Sequence, residues 1–172
     1  MTTHTTAVDH PYRRVLIALP EPHDAARSTT KPLFPTLIPR ASTKWPPGKP
    51  SLKLPTTKAP HAFTRYARRD ITALMAPSPS SWEATQYLMG NHTIAERMFR
   101  HDPSVMPHAL LRALLCADTD GDTKLGVDQP SLPFASYHNP HIAAVGRELD
   151  ELLISLIELL SGEIHQLDHD TT

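Results

Sequence analysis

A chain of 172 residues, 40% hydrophobic and 20% charged, has material for one sizeable core and not for two independent ones. Its one cysteine, Cys116, excludes an intramolecular disulfide, a cysteine zinc site and a Cys-x-x-Cys redox pair, and points to a reducing, cytoplasmic setting. A net charge of −1 hides an asymmetry: residues 1–69 hold 12 Lys and Arg against 3 Asp and Glu, residues 70–172 hold 5 against 15, so a basic segment is expected to lie across an acidic body.

Residues 1–10 are polar and read as a disordered tail. Arg13 to Leu19 is short and aliphatic, a first strand closed by Pro20 and too brief for an export signal. Pro20 to Pro60 holds ten prolines in 41 residues, which argues against helix or central strand, so residues 11–60 are expected to be that strand plus an irregular wrap. The ten basic residues between Ala25 and Arg69 are scattered among prolines with few aromatics, which speaks against nucleic acid as a partner.

Residues 61–162 read as a compact α+β domain. Alternation over Asp70–Met75 suggests a strand, paired through the turn-rich residues 77–81 with a second strand over Trp82–Met89. Asn91 is the expected cap of a short helix that buries Ile94, Ala95 and Met98 and ends before Pro103. Leu110–Ala117 and Thr123–Val127 flank Asp120-Gly121, a two-residue hairpin signal. That turn would pair Cys116 with Leu125 and Leu114 with Val127 on the core face, and put Arg112 on the same face. A long helix follows, capped by Asn139, with Pro140 in its first turn and Gly162 as its stop. Ile142, Val145, Leu149, Leu152, Leu153, Leu156 and Leu160 follow helical spacing, and burying them is worth roughly 10–20 kcal/mol gross. Its charges Arg147, Glu148, Asp150, Glu151 and Glu158 argue against a membrane span. Residues 163–172 read as a second disordered tail. The fold class is thus an antiparallel sheet with a short helix and a long C-terminal helix packed on one side.

Several blocks in order, Tyr87 to Met98, Asp102-Pro103, Arg112, Asp120-Gly121, Val127 to Ser131 and Val145 to Asp150, resemble the "domain of unknown function 302" family. The resemblance spans about residues 61–160, loosely 12–20. It implies an antiparallel sheet with helices on one side, a homodimer, and no settled activity. Relatives continue from the first strand into a helix, where this chain turns proline-rich.

The junction Gly90-Asn91-His92-Thr93 carries the clearest chemical signal. A helix start offers free N–H groups and partial positive charge to an anion, and Gly90 would let a ligand approach the backbone. Arg112, on the predicted core face, needs a carboxylate from Glu96, Glu148 or a bound organic acid. Gly90, Asn91, Thr93 and Arg112 are therefore the expected ligand-binding set, for an apolar small molecule with an acidic group. His92 and Glu96, four apart on one helix face, suit general acid–base work in a cofactor-free isomerase or lyase acting on a small organic acid. A structural or dimerising role is the third reading. No glycine loop for phosphates, nucleophile elbow or dinucleotide fingerprint occurs, so no cofactor is expected. Asp118 to Asp122 fails as a calcium loop, because Thr123 and Gln129 stand where glycine and glutamate are needed. The histidines lack ligand spacing, so no metal is expected either.

Overall fold

The structure is a computed structural model and describes residues 7–33 and 62–161. Five strands form one antiparallel sheet in the order β1-β5-β4-β3-β2: β1 Arg14–Leu19, β2 Thr64–Asp70, β3 Glu83–Gly90, β4 Leu111–Ala117 and β5 Thr123–Asp128. The helices are α1 His23–Leu33, α2 Ile71–Leu74, α3 His92–Phe99, α4 Ser131–Ala135 and α5 Pro140–Ser161.

The core forms where the period-2 pattern of the strands meets the helices. Thr85, Tyr87 and Met89 of β3, Leu111, Ala113, Leu115 and Ala117 of β4, and Leu125 and Val127 of β5 are buried on one face. Ile142, Val145, Leu149, Leu153 and Leu156 of α5 join the same cluster with Ile94 and Met98 of α3. The mixed α+β class and the long C-terminal helix agree with the sequence reading. Asn139 caps α5 as expected, accepting from the N–H groups of His141 at 2.9 Å and Ile142 at 3.4 Å.

Three expectations are corrected. Residues 23–33 form helix α1 rather than part of an irregular wrap. The prolines spare positions 23–31 and Pro32 falls in the last turn, while the buried stripe is His23, Ala26 and Thr30, a polar stripe that apolar periodicity cannot reveal. The remainder of the proline-rich segment, residues 34–61, lies outside the described residues, as do 1–6, Gly162 and the tail after it. β1 is hydrogen-bonded to β5, which ties the first strand into the sheet.

The strand expected at Asp70–Met75 lies earlier, at Thr64–Asp70. Asp70 instead caps a single helical turn, its carboxylate accepting from Ala73 N at 3.0 Å.

The third correction concerns the β4–β5 hairpin. The loop has five residues, 118–122, with Ala117 opposite Thr123. Asp118 holds it, its Oδ1 accepting from Asp120 N at 3.2 Å and Asp122 N at 2.9 Å, while Gly121 takes φ +89°. Relative to a two-residue turn the register moves by one, so Leu115 faces Leu125 and Ala113 faces Val127. A one-residue slip exchanges the faces of a strand. Arg112, Leu114 and Cys116 therefore lie on the side away from the helices, with Leu16 64% and Leu114 39% exposed.

Candidate functional site

The junction at residues 90–93 has the predicted local structure and little room. Asn91 Oδ1 accepts from Thr93 N at 2.9 Å and Ile94 N at 3.3 Å, and its Nδ2 donates to Ala62 O at 2.8 Å. The amides expected to receive an anion are thus occupied by the cap. A Cβ on Gly90 would stand 2.9 Å from Leu110 Cδ2 and 3.4 Å from the Tyr66 ring, so the space expected for a ligand is filled by side chains. Burial of Tyr66 pushes its hydroxyl up, offset by its contacts with the Thr64 side chain and the His92 backbone.

His92 begins α3, and its Nδ1 is buried with no hydrogen-bond partner among the described residues. Glu96 does not orient it, because its carboxylate is paired with Arg100 one turn on. Glu148 is paired with Arg97 at 2.8 Å. Neither glutamate serves Arg112, whose side chain is exposed on the face of the sheet that no described helix covers. The expected set is therefore divided, with Gly90, Asn91, His92, Thr93 and Glu96 at the start of α3 and Arg112 elsewhere.

Arg112 does border a cavity of about 200 Å³ at the end of the β4–β5 pair. Leu110, Leu111, Pro107, Pro130 and Pro133 give it apolar walls, and His10, Tyr12, His108, Asp128 and Gln129 supply polar groups. Gln129 is buried; its Nε2 donates to Asp150 Oδ2 at 2.8 Å and to Ser131 Oγ at 3.1 Å, while its Oε1 is buried without a partner among the described residues. His108 packs edge-on against His10, Phe134 and Tyr137, with ring centroids 5.3, 6.3 and 6.2 Å away. Burial, then the nearby His10 and Arg112, hold its imidazole below the usual value. The chain order hides this grouping: His10 and Tyr12 precede the first strand, His108 sits in the turn before β4, and Gln129 follows β5. Only the pairing of β1 with β5 draws them together, so no local spacing marks them.

Two of the blocks that suggested a family, Val127 to Ser131 and Val145 to Asp150, are joined by one buried carboxylate. Asp150 of α5, fully buried, accepts from Gln129 Nε2 and, at 2.9 Å, from Ser131 N, which ties the long helix to the end of β5 and the start of α4. No family model matches the chain, and no curated protein matches it. Among solved structures, the crystal structure of an uncharacterised conserved protein DUF302 from Bacillus stearothermophilus aligns with a TM-score of 0.64 over 86% of this chain and 97% of that one, at 9% identity. The chain has the DUF302 fold. At that identity the DUF302 likeness concerns architecture alone. No helix among the described residues is long and apolar enough to cross a membrane, and no group of three or more His, Cys, Asp or Glu side chains there could hold a metal ion.

Proposed function

We propose that this domain binds a small organic acid, apolar in body, in the cavity at the end of the β4–β5 pair. The observation that carries the reading is a guanidinium, Arg112, beside walls of leucine and proline, with the buried carbonyl of Gln129, unpaired among the described residues, in the same lining. A carboxylate would take the charge-assisted hydrogen bond from Arg112, and a hydroxyl or N–H on the ligand would satisfy Gln129 Oε1. At about 200 Å³ the cavity suits a compact ligand. The acidic group expected from the sequence is retained in this reading, while the start of α3 is not used.

The test is thermal stabilisation of the purified protein by a library of organic acids. A hit should bind Arg112→Gln roughly tenfold to a hundredfold more weakly, the value of a hydrogen bond to a charged group. Because Arg112 is exposed, the ligand-free melting temperature should barely move. Undiminished affinity in Arg112→Gln would remove the reading.

The second reading, a cofactor-free isomerase or lyase, is favoured by His108. An imidazole held below its usual value is neutral near pH 7 and able to accept a proton from a bound acid. In that case His108, rather than His92, is the base, and turnover of a hit compound should be lost in His108→Gln and kept in His92→Gln.

A further inference from the structure

A second cavity, independent of the first, lies between α1 and the edge strand β2. It measures about 250 Å³ and is lined by Arg27, Ser28, Lys31, Arg65, Arg68 and Tyr87. Four of these six side chains are cationic, and none is acidic.

Their convergence requires a departure from an ordinary edge strand. Arg65 pairs with Met89 and Arg68 with Tyr87, both core-facing residues, because the register shifts between Arg65 and Ala67. In an unbroken ladder Arg68 would oppose Gln86 and point to the uncovered face. The bulge at Tyr66 turns Arg68 to the same side as Arg65, and bulges commonly re-aim a side chain in this way. Facing them, Arg27 and Lys31 stand four apart on α1, where like charges weaken a helix. Asp24 holds Arg27 at 2.8 Å, whereas Lys31 and Arg68 have no ion-pair partner among the described residues. Tyr87 closes the floor, its hydroxyl 3.4 Å from that of Thr30. These four cations belong to the basic N-terminal portion of the chain.

We propose that this cleft binds a compact oxyanion carrying two or more negative charges, of the phosphoryl class. A dianion would neutralise Lys31 and Arg68, which line one cleft with no ion-pair partner among the described residues, and guanidinium forks match the oxygens of a phosphoryl group two at a time. A monocarboxylate with an apolar body fits the lining poorly, since Tyr87 is its only large apolar surface. The proposal does not depend on the organic-acid cavity, because the two share no residue.

The test uses the full chain and pyrophosphate at constant ionic strength, followed by thermal shift and calorimetry. Saturable stabilisation is expected, at least tenfold weaker in affinity for Arg68→Ser and for Lys31→Gln, and better retained by Arg68→Lys. Arg147→Gln, which removes one exposed charge from α5, should leave it unchanged. Acetate at the same ionic strength should produce no saturable shift. The proposal is overturned if pyrophosphate acts no better than acetate, or if Arg68→Ser and Lys31→Gln bind it as the parent does. A loss matched by Arg147→Gln would also overturn it, since net charge alone would then explain the effect.

Discussion

On the side of the sheet that the helices cover, Met89, Leu115 and Leu125 are sealed under Leu153 and Leu156 of α5. On the opposite side Leu16, Arg112, Leu114 and Lys124 stand on the same sheet with none of the described helices above them. Leu115 and Leu114 are adjacent in the sequence, yet the first is fully buried and the second 39% exposed. Packing rather than residue type therefore decides where chemistry can occur. The covered side is occupied by its own side chains, and both candidate cavities lie at strand ends and edges, where charged groups reach solvent. Truncating the two neighbours tests this contrast most severely. Leu115→Ala should cost about 2–5 kcal/mol and Leu114→Ala less than about 0.5 kcal/mol, read from urea midpoints at constant m-value. Similar costs would mean that the outer face is covered as well, by a second copy of the chain for instance.

A smaller effect should come from the polar link that sets the boundary between the two sides. Asp150 has no exposed surface, and its two hydrogen bonds hold Gln129 and Ser131 against α5. Asp150→Ala would leave the Gln129 amide with Ser131 Oγ alone and the partly buried Ser131 N–H without its acceptor, a loss of roughly 2–4 kcal/mol in chemical unfolding. Asp150→Asn should recover part of it, since one oxygen remains to accept. If Asp150→Ala proved neutral, the link between the family-like blocks would be dispensable and the placement of Gln129 in the cavity would need another cause.

The elements that were legible from the sequence are those whose signals are local. Asn91 and Asn139 cap as their positions require, Ile94, Ala95 and Met98 are buried together, and the apolar stripe of α5 faces the core. The errors arose where a local rule met a longer-range choice. Asp120-Gly121 marked a turn correctly, but Asp118 widened the loop by binding two of its amides, and the resulting slip moved Arg112 from the interior to the surface. Helix α1 has no apolar signature because its buried side carries His23, Ala26 and Thr30, with His23 Nε2 3.5 Å from the Thr85 hydroxyl in place of an aliphatic contact. The pairing of β1 with β5 brings His10 and Tyr12 beside residues about a hundred positions later, and no spacing within the chain could have announced that.

His108 sits where the two sides meet, and its titration separates them by pH. Its imidazole is held below the usual 6.5 in the folded chain, first by burial and then by His10 and Arg112. The unfolded chain therefore takes up this proton first as pH falls. Stability is full above about 6.5, declines as pH drops toward the folded value, and loses no more to this group below it. The carboxylates Asp102 and Asp118 act in a lower window. Their pKa values are held below the usual 3.8, Asp102 by its hydrogen bonds with Ser104 and Asp118 chiefly by the Asp122 amide, so their contribution is lost only at more acidic pH. Urea midpoints of the ligand-free protein at pH 7.5, 5.5 and 3.5 should thus show two separate declines. His108→Gln should flatten the first, between about pH 7 and 5, and leave the second in place. The change will be the smallest of the three, because His108 is only partly buried, yet its sign is fixed. An unaltered slope in that window would mean that His108 titrates as it does in the unfolded chain, and the case for it as a neutral proton acceptor in the cavity would go with it.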